Sequence, residues 1–292
     1  MHIRMKCPTK KKIIMYLLAL FLVLVVLLLA LKQDEKSVQY DIVVLGDSIV
    51  GNEGYGNVSF TSYLGENLNK TAFKGGIGGT TMSRGVDNMW PSVSSVEWCM
   101  VKMAEAICYD DWTNLLSTMN YADSFAGINE QTLHYFAVTM DTLSKIDFNK
   151  VEILILEYGT NDYNIGKVLD NVEDPYDVTT FGGALRKSLQ MLQKTYPDLR
   201  IVIMSPLYSQ LGADGERKCY NTKYGDGAYL EEYVELERQI AEEFHVEWLD
   251  AFHNSGIWED NCYEYLPDGL HLNVEGHKLI ADFLTEYLLK NQ

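Results

Sequence analysis

Apolar residues along the chain fall into two kinds of run. Asp41-Ile-Val-Val-Leu45, Val151-Glu-Ile-Leu-Ile-Leu156, Arg200-Ile-Val-Ile-Met204 and Val246 to Leu249 are short, β-branched and nearly continuous, the pattern of strands buried on both faces. Thr71-Ala-Phe73 reads as a further short strand that enters a glycine-rich turn, Gly75 to Gly79. Between these runs the apolar positions recur at helical spacing: Phe60, Tyr63, Leu64 and Leu68; Phe181 to Thr195; Tyr229 to Phe244; and Val274 to Leu289, with Leu279, Ile280, Phe283, Leu284 and Leu288 as its stripe. Met82 to Lys150 is mostly helical in pattern, and Tyr208 to Ala228 is polar and loop-like. Strands that alternate with helices predict βαβ units and a parallel sheet. Such sheets bind ligands beyond the carboxyl ends of their strands.

The N-terminus follows another logic. Ile13 to Leu31 is nineteen residues without a charge, about 28 Å as a helix, enough to cross a bilayer core. Five basic residues precede or border it (Arg4, Lys6, Lys10, Lys11, Lys12) and no acid lies in residues 1–31. The positive-inside rule then puts residues 1–12 in the cytoplasm and the body outside. The predicted organisation is a basic tail at 1–12, a transmembrane helix at 13–31, a polar linker at 32–39 and an α/β domain at 40–292. A cleaved signal peptide followed by secretion is the alternative, although LLLALKQD offers no clean small-x-small site.

Charge narrows the partners. With five of the 24 basic residues in the N-terminal segment, the rest carries 19 against 41 acidic residues, a formal −22. A body that acidic repels phosphate backbones and anionic membrane surfaces, which argues against nucleic acid and favours neutral or cationic substrates. Cys99, Cys108, Cys219 and Cys262 would be able to pair outside the cytoplasm, in three connectivities that sequence does not separate, or to stay as buried thiols. No C-x-x-C or H-E-x-x-H pattern suggests a metal, and no cofactor is predicted.

Four small groups stand where the strands end: Gly46-Asp47-Ser48, Gly78-Gly79-Thr80, Gly159-Thr160-Asn161-Asp162 and Asp268-Gly-Leu-His271. Each alone has an ordinary role as cap, turn or surface loop. Together they supply one chemistry. A serine needs an adjacent base, which His271 provides. The base needs a carboxylate on its other nitrogen, which Asp268 provides. A tetrahedral oxyanion needs preorganised donors, and Ser48 N–H, Gly79 N–H and the Asn161 amide qualify. Asp47 and Asp162 are supporting residues, Asp162 as a brace for the Asn161 loop. Asp250 is a rival acid, and Asp-x-x-His spacing favours Asp268. His253 and His277 are expected to cap or to lie on helix surfaces.

These motifs resemble the SGNH/GDSL hydrolases. GDS at 46–48 follows the first strand, KGGIGGTT at 74–81 is similar to the family's second block, GTND at 159–162 to its third and DGLHLNVEGH at 268–277 to its last. The resemblance implies a flavodoxin-like three-layer α/β/α sandwich on a five-stranded parallel sheet. It implies the same roles for Ser48, His271, Asp268, Gly79 and Asn161. The second block often carries Asn where this chain has Lys74. The 80 residues from Gly79 to Gly159 imply a helical insertion at about 82–150. Its Trp90, Trp98, Trp112, Tyr121, Tyr135 and Phe136 form either a substrate wall or the insertion's own core.

The expected function is a membrane-anchored extracytoplasmic serine esterase acting on short-chain O-acyl esters, acetyl esters of a carbohydrate first. A transferase passing the acyl group to a sugar hydroxyl, a lipase or lysophospholipase, and a non-catalytic glycan-binding module are the alternatives. The expected partners are a small-molecule or glycan ester and the membrane. Oligomeric state is not readable from the sequence.

Overall fold

The computed structural model describes residues 16–23, 38–51, 58–85, 96–118, 130–212 and 215–291. The chain divides into two compact units, Met1–Val38 and Gln39–Gln292. In the first, residues 16–23 are helical and exposed. The rest of the apolar run Ile13 to Leu31 lies outside the described residues. Among the described residues no helix is long and apolar enough to cross a membrane.

The second unit is built on five parallel strands: β1 (Ile42–Gly46), β2 (Ala72–Gly76), β3 (Ile153–Glu157), β4 (Arg200–Met204) and, after a small hairpin, β7 (Glu247–Leu249). Their order is β2-β1-β3-β4-β7. β1 and β3 are buried along their whole length, as their unbroken apolar runs require. The principal helices are α1 (Ser48–Gly51), α2 (Phe60–Leu68), α3 (Met100–Tyr109), α4 (Thr113–Thr118), α5 (Glu130–Ser144), α6 (Thr160–Asn164), α7 (Phe181–Thr195), α8 (Leu230–Phe244), α9 (Ala251–Asn254), α10 (Cys262–Tyr265) and α11 (Val274–Lys290).

The chain steps from β1 through α2 to β2 in one direction, and from β3 through α7, β4 and α8 to β7 in the other. Right-handed crossovers therefore put α2 and the later helices on opposite faces. Contacts agree: α11 packs on α2, while α7 packs on α3 and α8. The strand order reverses between β1 and β3, the switch point where open α/β sheets leave a crevice. Gly46 lies beside Gly76 and Glu157 in the register, so the segments after β1, β2 and β3 begin at one level.

Two expectations change and one open alternative is decided. β2 runs to Gly76, through two glycines read as a turn. Gly76 serves close approach: a Cβ there would stand 2.3 Å from Gly51 N and 2.6 Å from Asp47 O, so only glycine lets α1 lie against β2. The loop-like stretch after Tyr208 contains an antiparallel hairpin, β5 (Gln210–Leu211) with β6 (Arg217–Lys218). In the insertion, Trp98, Trp112 and Phe136 are buried core residues and not a substrate wall; Trp90 and Tyr121 lie outside the described residues. Tyr135, half-buried, donates its hydroxyl to Gly76 O at 3.1 Å, and Lys74 Nζ sits 5.0 Å from its ring centre, which gives the lysine of the second block a cation–π partner. The four described cysteines of this unit are free thiols.

Candidate active site

Ser48 opens α1 directly after β1. Its Oγ lies 2.9 Å from His271 Nε2. His271 Nδ1 lies 2.6 Å from Asp268 Oδ2. The three side chains thus form one hydrogen-bonded line across 223 residues of sequence. Asp268 Oδ1 also accepts the amides of Leu270 at 3.0 Å and His271 at 2.7 Å, which folds the loop back on itself and aims the imidazole. Partial burial pushes the Asp268 carboxyl up, but its bonds from the His271 ring and amide outweigh this and hold it below the usual carboxylate range.

Asp47 and Asn161 lock the floor. Asp47 is buried; its Oδ1 accepts Ile49 N at 2.8 Å and its Oδ2 accepts Asn161 Nδ2 at 3.1 Å. Asn161 Nδ2 also donates to Thr80 O at 2.9 Å. Both amide hydrogens of Asn161 are therefore held by the protein in this resting state. The amides of Ser48 and Gly79 donate to no acceptor among the described residues. Asp162 accepts from Met82 N at 2.8 Å, Ser83 N at 3.0 Å and Ser83 Oγ at 2.5 Å. It ties the GTND turn to the segment after the second block. Burial raises its carboxyl against those bonds.

Ser83, the bonding role of Thr80 and the contact that clamps the acid–base loop are not marked in the sequence. Thr80 Oγ1 donates to Ile77 O at 2.7 Å and Gly46 O at 3.2 Å. Gln210 N in β5 donates to Gly269 O at 2.9 Å. Gly269 has φ +81°, and a Cβ there would lie 1.8 Å from Gln210 O, so the loop closes on β5 only with glycine. The GGTT and DGLH motifs contain Thr80 and Gly269, but nothing local marks Gln210 as their partner.

The rival pair keeps the same spacing without the serine. His253 Nδ1 sits 3.0 Å from Asp250 and its Nε2 lies 3.1 Å from Glu231 Oε1. A cavity of 610 Å³ beside this pair contains none of Ser48, His271 and Asp268. His277, expected at a helix surface or cap, is buried, with its Nδ1 accepting Phe60 N at 3.1 Å; it caps α2, not its own helix. Burial, with the positive charge of Lys74, lowers its pKa to about 4. Among the described residues no cluster of His, Cys, Asp and Glu is arranged to hold a metal ion.

The fold is shared with solved structures. A protein from Lactobacillus plantarum is 21% identical with a TM-score of 0.59, covering 87% of this chain and 99% of that one. A possible lipase from Chitinophaga pinensis is 16% identical with a TM-score of 0.52, over 86% of this chain and 98% of its own. A carbohydrate acetylesterase from Sinorhizobium meliloti is 13% identical with a TM-score of 0.50, over 86% and 99%. At these identities the likeness is one of fold. No curated protein matches the sequence. The family model of the GDSL-like lipases and acylhydrolases, by contrast, runs from residue 44 to residue 279, through all four strand-end motifs. The chain belongs to the GDSL-like lipase/acylhydrolase family and is a serine ester hydrolase.

Proposed function

We propose that Ser48 attacks an ester carbonyl while His271 Nε2 takes the hydroxyl proton and Asp268 stabilises the resulting imidazolium. The single observation behind this reading is the 2.9 Å contact between Ser48 Oγ and His271 Nε2. The tetrahedral oxygen is received by the amides of Ser48 and Gly79 and by Asn161, whose hydrogen moves from Thr80 O to the oxyanion. His271 then gives its proton to the leaving alkoxide. Water deprotonated by the same imidazole attacks the acyl-enzyme, and Ser48 recovers its proton as the acid departs.

The substrate in this reading is a short-chain, uncharged O-acyl ester of a carbohydrate. The formal −22 of residues 32–292 disfavours anionic lipids and phosphorylated substrates. The basic tail and apolar run at 1–31 support a body tethered outside the cytoplasm. The purified chain is assayed on p-nitrophenyl esters of increasing length, on acetylated oligosaccharides, and on the same esters with free acceptor sugars. Acetyl esters should turn over fastest, and acetate should be released from the oligosaccharide. A rate that climbs with chain length would replace this substrate with a lipid, and acyl transfer outpacing acetate release would make the protein a transferase.

A further inference from the structure

The sequence left the cysteine pairing open, and geometry now separates the four thiols. Cys99 precedes α3 and Cys108 lies in its last turn. Nine residues of helix put them about 13 Å apart, about twice the Cα separation a disulfide spans. The Cys99 thiol donates to Val96 O at 3.8 Å and feels the charges of Lys102, Asp162 and Arg84, and the Cys108 thiol lies against Thr195. No other cysteine contributes to the electrostatics of either thiol.

Cys219 and Cys262 stand in one place. Cys219 N donates to Ser209 O at 3.1 Å, and its thiol lies against the amide and hydroxyl of Ser209. The Cys262 thiol lies against the amide of the next residue, Gln210, and within electrostatic reach of the Cys219 thiol. Both are fully buried. The flanking residues are already joined. Lys218 pairs with Glu259, Tyr220 donates its hydroxyl to Glu259 Oε2 at 2.5 Å, and the Tyr220 and Trp258 rings stack 6.4 Å apart. On the other side, Leu266 N donates to Cys262 O at 2.7 Å, Gly269 N to Leu266 O at 2.8 Å and Gln210 N to Gly269 O at 2.9 Å. Side-chain contacts thus hold residues 218–220 against Trp258 and Glu259, which places one thiol in the first segment and the other just after the second.

We propose that Cys219 and Cys262 form a disulfide on exposure to a small-molecule disulfide such as oxidised glutathione, clasping the β5–β6 hairpin to the segment that carries Asp268 and His271. One thiolate attacks the oxidant's S–S bond and expels a thiolate, giving a mixed disulfide. The second thiolate attacks the protein sulfur of that bond and expels the other half. Two electrons and the two thiol protons leave with the oxidant, which departs as two thiols. The clasp closes a chain loop from residue 219 to residue 262 around the contact that holds Gly269.

Burial pushes both thiols up to about 11, with Glu231 near Cys219 and Asp268 near Cys262 adding to it, so the reaction is run at mildly basic pH. The purified full chain is incubated with oxidised glutathione in urea below its unfolding transition, which lets the buried thiols open to the oxidant, then fully unfolded in the presence of an alkylating reagent and peptide-mapped, with no ester present. The expected product is a single 219–262 cross-linked peptide, about 2 Da lighter than its two reduced halves, reversed by dithiothreitol. Oxidation should also raise Tm by ~5 °C. Cys219→Ser and Cys262→Ser should each abolish both effects. Recovery of both cysteines as alkylated or glutathionylated peptides overturns the proposal, as does a cross-link from either to Cys7, Cys99 or Cys108. A 219–262 cross-link that leaves Tm unmoved overturns the clasp.

Discussion

A serine hydroxyl is a poor nucleophile until a base takes its proton, and this chain carries two Asp-x-x-His pairs able to orient such a base. Spacing to His271 favours Asp268 over Asp250, but Asp250 has the same spacing to His253, so the partner of the second ring nitrogen is what separates the two pairs. His271 meets Ser48, whereas His253 meets Glu231. Asp268→Asn should therefore lower kcat by about 10⁴-fold, the loss such a change produces in other Ser-His-Asp sites, and Asp250→Asn should leave kcat on p-nitrophenyl acetate within about twofold. Equal losses would refute the assignment. Asn161→Ala should slow kcat by about 10²–10³-fold, corresponding to about 2.7–4 kcal/mol of barrier. Because Asn161 also holds Asp47 and Thr80, the circular dichroism spectrum of that variant should be compared with the parent's, and an unchanged kcat would remove Asn161 from the oxyanion site.

At the level of elements, the site exists because β1, β2 and β3 end level and the sheet reverses its order between β1 and β3. That much was legible in the sequence. Strands buried on both faces leave continuous apolar runs, so β1, β3 and β4 were found within two residues of their observed ends, and the first three motifs followed β1, β2 and β3, whereas DGLH comes after α10, with two helices between it and β7. Helices α2 and α7 declared themselves by apolar spacing and matched residue for residue. What escaped notice depended on partners distant in sequence. Gly75 and Gly76 look like a turn until Gly51 and Asp47 are seen crowding the second of them. The two-residue strands of the β5–β6 hairpin are too short to leave a period. Their importance lies in the Gln210–Gly269 contact, and Gly269→Ala tests it. The added Cβ should displace the loop, lowering kcat by at least about tenfold while the chain stays folded. Parent-level kcat with an unchanged Tm would show that the clamp does not position His271.

For the molecule as a whole, the unit Gln39–Gln292 carries its own core. A chain starting at Gln39 should keep the kcat of the full protein, and only the longer chain should sediment with membranes; an equal distribution of both would contradict the proposed anchor. Stability should respond to acid through His277. Its folded pKa, about 4, lies below its ordinary value of 6.5, so the unfolded chain binds the proton first. The contribution is whole above pH 6.5 and is lost as pH falls from there towards 4, by about 3 kcal/mol in total. Urea titrations of the parent should show this loss, and His277→Asn, which keeps an acceptor for Phe60 N–H, should flatten it. A parent and variant with the same acid dependence would assign the loss to other groups.

The central claim is that a single hydroxyl, at position 48, does the covalent work. The most direct measurement is intact-mass and peptide mapping of the parent and Ser48→Ala after reaction with a fluorophosphonate. The account predicts one adduct per parent chain, located on the peptide containing Ser48, and none on the variant under the same conditions. Equal labelling of the variant, or an adduct mapped to another serine, would contradict it.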